Sequence, residues 1–233
     1  MTILPKTFAA AVLAAVSLGT TSAFAVNLVT NGSFETGTDA PTGNPGASAS
    51  ASYRSLLPNS TAITAWTTFG DTVGWYHDDH PGLNAPNVVI KASQGNRFVD
   101  LTDQSGGAPF GGITTQVATV IGTKYTLTFD LGTSFFYNPV TGASAALTIG
   151  TGVPFTVVTA VTGAAQGVWV PQSVSFTAIS ANTQIGFLGW AGKDFIGLDN
   201  VAVTAVPEPG SIALMLAGLG IVGSVAARRR PQR

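Results

Sequence analysis

The stretch Lys124-Tyr125-Thr126-Leu127-Thr128-Phe129-Asp130-Leu131 decides the fold. Tyr125, Leu127, Phe129 and Leu131 alternate without a fault with Lys124, Thr126, Thr128 and Asp130. A period of two is the pleat of a β-strand that turns one face to a core and the other away from it. Looser alternation runs through Val170 to Phe176, Ala145 to Ile149, Asn96 to Leu101 and Asn200 to Val206. Further strands are expected at Ala62 to Phe69, Val73 to Tyr76, Val88 to Ala92, Ile113 to Val120, Pro154 to Val161 and Gln184 to Trp190. Clusters of Gly, Asn, Pro and Ser punctuate them. Between the two chain ends no stretch has helical periodicity, and no internal repeat is present. The pattern predicts an all-β fold, a two-sheet antiparallel sandwich. Asp39 to Ser52 and Asp78 to Asn87 are too rich in Gly, Pro and small polar residues for regular pairing and are expected as surface loops.

The two ends read differently. Met1 to Ala25 has the form of a secretory signal peptide: Lys6 supplies the positive charge, Phe8 to Leu18 the apolar segment, and Ala23-Phe24-Ala25 a small-x-small cleavage site. At the other end Pro207-Glu208-Pro209 precedes an uncharged apolar run, Ser211 to Ala227, and then Arg228, Arg229 and Arg230. As a helix that run would span ~26 Å, near the lower limit for crossing a bilayer. The arginines would hold its far end on the cytoplasmic side. Gly218-Leu219-Gly220-Ile221-Val222-Gly223 fits G-x-G-x-x-G but lies inside the apolar run, with no strand before it and no acidic residue after it. These glycines read as small residues on a membrane helix.

Pro207 to Arg233 closely resembles the PEP-CTERM sorting signal of exported bacterial proteins. The resemblance implies that an exosortase recognises Pro207, Glu208 and Pro209, removes the tail, and passes the mature protein to the cell surface or extracellular matrix. Anchoring through residues 211–227 would then be transient. The domains expected are thus a signal peptide (1–25), a β-sandwich (26–206) and a sorting signal (207–233) with a transmembrane helix.

Residues 26–206 hold ten acids and five bases, a net charge of −5 that the near-neutral whole-chain value of −1 hides. An acidic domain with scattered bases has no footprint for nucleic acid. The absence of cysteine excludes disulfides, thiol catalysis and thiolate metal sites.

Asn27-Leu28-Val29-Thr30-Asn31-Gly32-Ser33-Phe34-Glu35 resembles the opening strand of carbohydrate-binding jelly rolls with the galactose-binding-like fold. The resemblance recurs at Gly95 to Leu101, Gly122 to Leu131 and Leu198-Asp199-Asn200-Val201. It implies that the sandwich is a jelly roll whose first and last strands lie side by side. It also implies a structural calcium held by Glu35 and Asp199 with nearby backbone carbonyls; the alternative makes the two acids strand-end residues that cap turns or pair with Lys or Arg. Calcium asks only for hard oxygen ligands in a tolerant geometry.

His77-Asp78-Asp79-His80, after Trp75-Tyr76, is the sharpest polar cluster and holds both histidines. Imidazole with carboxylate suits zinc, manganese or acid–base work, although a solvated loop tip explains four adjacent polar residues equally. For sugar binding the candidates are Trp75, Tyr76, His77, Asp78 and Trp190, with Trp66 and Phe135-Phe136-Tyr137 behind them; flat rings would stack on sugar faces and polar groups would meet hydroxyls. No Gly-x-Ser-x-Gly or His-Glu-x-x-His occurs, so no catalytic residue is assigned. The expected activity is non-enzymatic polysaccharide binding or matrix assembly. A purely structural matrix protein is the first alternative, and a glycoside hydrolase using Asp78 or Asp79 with another acid the second.

Overall fold

In a computed structural model of the chain, the described residues are 26–43, 51–78, 80, 91–103, 110–133, 143–150, 156–160, 168–191, 196–207, 216 and 218–222. The strands are β1 (Tyr53–Leu56), β2 (Thr67–Gly70), β3 (Val73–His77), β4 (Arg97–Asp100), β5 (Gly111–Ala118), β6 (Lys124–Thr133), β7 (Ala143–Ile149), β8 (Thr156–Ala160), β9 (Val168–Thr177), β10 (Asn182–Ala191) and β11 (Ile196–Ala205). They form two antiparallel sheets, one in the order β1-β3-β4-β11-β6-β9 and one in the order β2-β5-β10-β7-β8. The expected all-β architecture of two antiparallel sheets is present.

The alternation in β6 sets the layering. Tyr125, Leu127, Phe129 and Leu131 are buried in the main core, together with Val73, Trp75, Val99, Leu198 and Val203 of the same sheet and Ile113, Val117, Leu147, Ile185 and Phe187 of the other. Phe129 and Phe187 meet edge-to-face, with centroids 4.8 Å apart, and join the two sheets. Trp75 is fully buried and donates its indole N–H to the Phe34 carbonyl at 2.9 Å. Trp66 is buried likewise and donates to the Asn31 carbonyl at 3.1 Å. Both indoles thereby satisfy their only donor inside the protein.

Several expected boundaries shift. Asn27 to Glu35 is not a strand: it carries a turn, with Asn31 and Phe34 at φ of 56° and 58°. It nevertheless lies beside β11, where Leu28 N–H donates to the Val203 carbonyl and Val201 N–H to the Gly32 carbonyl, each at 2.9 Å. Ile63 makes only an isolated bridge to Gly37 and residues 64–65 turn, with Ala65 at φ 67°, so that strand begins only at Thr67. Lys91 and Ala92 are irregular, and the rest of the strand expected at Val88 to Ala92 lies outside the described residues. Tyr53–Leu56 is an edge strand that the reading of residues 39–52 as loop stops just short of.

Met1 to Ala25 lies outside the described residues, as do most of Ser211 to Ala227, Glu208, Pro209 and Arg228 to Arg230. Among the described residues no helix is long and apolar enough to cross a membrane. Those of residues 211–227 that are described, Leu216 and residues 218–222, are helical, and Leu216, Leu219, Ile221 and Val222 are exposed.

Candidate functional site

The face of the six-stranded sheet turned away from the core carries a continuous row. Ser55 of β1 pairs with Gly74 of β3, Gly74 with Asp100 of β4, Asp100 with Gly197 of β11, Gly197 with Gly132 of β6, and Gly132 with Trp169 of β9. Six strands at ~4.8 Å spacing make this row about 24 Å long. Glycine inside a strand marks close approach of another group, and two of these positions show it. A Cβ on Gly132 would lie 2.8–3.0 Å from ring atoms of Trp169, so the indole lies across bare backbone. A Cβ on Gly74 would lie 2.6 Å from the Tyr76 ring and 3.2 Å from Asp103 Oδ1.

The ends of the row are accessible. At one end Asp103 accepts hydrogen bonds from the Tyr53 and Ser55 hydroxyls. Burial, and then the carboxylate it donates to, push the Tyr53 phenol well above its usual range, so it is a fixed neutral donor. At the other end the half-buried Trp169 donates its indole N–H to the Lys91 carbonyl at 2.5 Å. Midway, Asp100 Oδ1 accepts from the Thr102 amide and hydroxyl at 2.9 and 2.8 Å and from the Ile196 amide at 3.1 Å. Beside the row runs an aromatic cluster. Tyr76 stacks on Phe98 with centroids 5.6 Å apart, Tyr53 lies 4.7 Å from Tyr76, and Trp169 meets Phe98 edge-on at 5.8 Å.

The segment 91–97 is pinned beside this cluster by three carboxylates. Asp199 Oδ2 accepts the amides of Ser93 and Gln94 at 2.7 and 2.8 Å, and Oδ1 accepts the Asn200 amide at 2.7 Å. Asp130, opposite Asp199 in the ladder, accepts the Ser93 hydroxyl at 2.6 Å and the Asn200 amide group at 3.1 Å on Oδ2. Asn200 reaches both because it sits at φ 53° where the ladder shifts register between Asp199 and Ala202. Glu35 Oε1 accepts the amides of Asn96 and Arg97 at 2.8 and 2.7 Å, and Oε2 meets the Arg97 guanidinium at 2.9 Å. Burial pushes the fully enclosed Asp199 carboxyl up to about 7, with the Glu35 charge adding to it and the three amides opposing it.

Glu35 and Asp199 therefore do the work of the alternative reading. Five backbone amides and one guanidinium donate to them. Among the described residues no group of three His, Asp or Glu side chains converges as a metal site.

The other expected site residues are dispersed. Trp75 lies in the core and Tyr76, adjacent in sequence, on the opposite face; both are fully enclosed, so neither offers a ring to solvent. The histidine cluster is not a solvated tip, because His77 and His80 are both buried, and the two diverge. His77 Nδ1 sits 3.2 Å from Asp78 Oδ1, whereas His80 contacts Ser52 Oγ at 3.1 Å and meets Tyr76 edge-on. Burial lowers the His80 pKa, which favours the neutral ring. Asp79 and Phe135-Phe136-Tyr137 lie outside the described residues. Trp190 is half-exposed but belongs to β10 of the other sheet, away from the row. A separate cleft of about 250 Å³ opens among Leu147, Ile149, Val174, Phe176, Ile179 and Thr183. It is lined by no ionisable side chain, so it offers no acid–base chemistry.

Tyr53, Ser55, Asp103 and Trp169 are the residues that sequence reasoning missed. The available signal was glycine at alternating strand positions, at Gly74, Gly132 and Gly197.

Residues 27–202 match the family model described as "Protein of unknown function (DUF642)". The chain belongs to the DUF642 family. In this DUF642 chain residues 205–230 also match the PEP-CTERM protein-sorting motif, which marks it for export and sorting to the cell surface by an exosortase. No curated protein matches the sequence. Among solved structures, the DUF642 chain is similar to a family 35 carbohydrate binding module from Clostridium thermocellum, with 14% identity, 66% of this chain and 99% of that one covered, and a TM-score of 0.42. It is also similar to TmCBM61 in complex with β-1,4-galactotriose, with 16% identity, coverage of 78% and 99%, and a TM-score of 0.40. The CBM22-1 xylan-binding domain from Paenibacillus barcinonensis Xyn10C aligns with 11% identity, coverage of 79% and 97%, and a TM-score of 0.41.

Proposed function

We propose that this DUF642 chain is a non-enzymatic polysaccharide-binding protein of the cell surface or extracellular matrix, and that sugar binds at the accessible ends of the glycine row of the six-stranded sheet. The observation that carries the reading is the row itself: Ser55, Gly74, Asp100, Gly197, Gly132 and Trp169, ended by a Tyr53–Asp103 pair and an indole laid over bare backbone. The middle positions, Gly74, Asp100, Gly197 and Gly132, are buried, so sugar meets the row at its two accessible ends. The Trp169 face takes the apolar side of a sugar ring, and Ser55 and Asp103 meet its hydroxyls. Asp103 already holds two hydroxyl donors and retains lone pairs for others. No step of bond breaking is assigned to any of these groups.

Before processing, the apolar run Ser211 to Ala227 holds the chain in the membrane. The exosortase and the export machinery are its partners at that stage, and extracellular polysaccharide afterwards.

A glycan array with the full chain in mild detergent tests the reading, with Trp169→Ala alongside. The expected result is binding to a polysaccharide class, weakened about tenfold by the substitution, equivalent to about 1.4 kcal/mol. No glycan bound, or equal binding by the variant, overturns it. A purely structural matrix role is the second reading, favoured by the burial of Trp75 and Tyr76; an array without any bound glycan would support it.

A further inference from the structure

The strand directions bring four features to one end of the sandwich. The loop joining β5 to β6 (residues 119–123) and the loop joining β9 to β10 (residues 178–181) are laced together there. Thr119 N–H donates to the Ala181 carbonyl, Gly122 N–H to that of Ala178, and Ala178 N–H to that of Thr123, at 2.8–3.0 Å. The end of β11 arrives at the same place, where Val206 N–H donates to the Lys124 carbonyl at 2.9 Å. The segment that begins at Val26 runs antiparallel to β11, so Val26 lies beside Ala205.

This end is apolar at its tips. Val120 and Ile121 are each 66% exposed, and Ile179 is 73% exposed. A single exposed aliphatic residue is ordinary, but here three stand on two loops fixed to each other. The apolar cleft under Phe176 and Ile179 opens next to them. Neither 118–124 nor 177–183 contains an acidic residue, and the charge nearest the tips is the exposed Lys124. In a domain with ten acids, that absence sets this end apart.

The sorting tail leaves from this end. From Val206 to Ser211 is five residue steps, at most about 18 Å of extended chain. A sandwich on so short a tether cannot stand clear of the surface in which residues 211–227 are embedded.

We propose that this end of the sandwich is a lipid-contacting surface, with Val120, Ile121 and Ile179 set into the headgroup region and Lys124 facing anionic lipid while the tail is in place. The inference rests on the membrane-anchoring reading of the tail given above. Aliphatic tips on two loops that carry a lysine and no carboxylate match an interface that is apolar below and negatively charged above. The contact holds the sandwich in one orientation, with the opposite end, where β4 ends and β11 begins, turned away from the membrane.

The chain contains no cysteine, so a single introduced thiol labels uniquely. Ile121→Cys and, in the independent loop, Ile179→Cys would carry an environment-sensitive dye. Leu57→Cys would serve as the control, since Leu57 is 70% exposed and follows a strand end that pairs with Val73 at the opposite end of the sheet. Full chain is reconstituted into vesicles of zwitterionic and anionic phospholipid, some brominated, and floated on a density gradient. The expected result is a floating chain whose dye at 121 or 179 is quenched at least about twofold more than at 57, for tips ~5–10 Å into the interface. Keeping two tip sites protects the test against one replacement that misfolds. A chain that floats with equal quenching at all three sites overturns the lipid contact and leaves the anchor standing. A chain that does not float overturns both. Tips that escape quenching, but whose replacement slows tail removal, would assign this end to the processing enzyme and not to lipid.

Discussion

Asp199 gives the sharpest prediction, because its environment reverses the usual behaviour of a carboxylate. The side chain is fully enclosed, and burial with the Glu35 charge carries its pKa from 3.8 to about 7 in the folded chain. The folded state thus holds a proton that the unfolded state has released between those two values. Linkage then makes stability fall as pH rises through this window: the contribution is complete below about 3.8 and lost above about 7. At about 1.4 kcal/mol for each pH unit, the loss attributable to Asp199 is on the order of 4 kcal/mol. Asp199→Asn removes the titration while keeping the size of the side chain. Urea unfolding of the full chain in mild detergent, at half-unit steps from pH 4 to 8, measures wild type and variant side by side. The gap between them should narrow or invert as pH rises, with the wild type losing ground to the variant by that order of magnitude. A wild type that gains on Asp199→Asn over the same range would refute the reasoning. That outcome means a carboxylate held ionised, as a bound cation would hold it, and would restore calcium to the Glu35–Asp199 pair.

The remaining predictions concern the same sheet. Chelation of divalent ions should leave the melting temperature unchanged, whereas a drop of several degrees would indicate a bound ion that stabilises the native state. Arg97→Ala should cost ~1–3 kcal/mol in urea unfolding, because it leaves the partly buried Glu35 carboxylate without its guanidinium. Gly132→Ala drives a methyl to within 3 Å of the Trp169 ring, so isothermal titration should show sugar affinity about tenfold lower, equivalent to ~1.4 kcal/mol. Trp75→Ala should cost ~3–5 kcal/mol by opening a core cavity, with the circular-dichroism melt as the measurement.

The sandwich was legible because alternate residues of strands such as β6 line the main core. Lys124 to Leu131 states that alternation outright, and β6 keeps it, with Phe129 in the main core and Asp130 on the opposite face. Strand ends were less legible, since Ala65 and Asn31 turn through left-handed conformations that apolar periodicity does not report. The candidate site was harder. Trp75 and Tyr76 looked alike as neighbouring aromatics in a polar setting, yet adjacent strand residues point to opposite faces and each is covered by a different layer. Exposure of an outer face depends on whether a distant segment crosses it; here Ser93 and Gln94 are held over β11 and β6 by Asp199 and Asp130. Such long-range anchoring leaves no local pattern. Trp169 and Tyr53 escaped for the same reason, because their partners, Gly132, Lys91 and Asp103, are 37 or more residues away in sequence.

The position of β11 also governs how the protein bears mechanical load. It lies inside the six-stranded sheet, between β4 and β6, with residues 27–32 bonded along it. A pull on the tail acts along the length of this strand. Its ladder with β6 runs from Ile196 to Ala205, so the hydrogen bonds are loaded together in shear and not peeled one at a time. Hydrodynamic drag on an anchored molecule would therefore meet the strongest direction of the sheet. The Pro207-Glu208-Pro209 tripeptide lies beyond Ala205, the last residue of that ladder, so the force-bearing pairing does not depend on it.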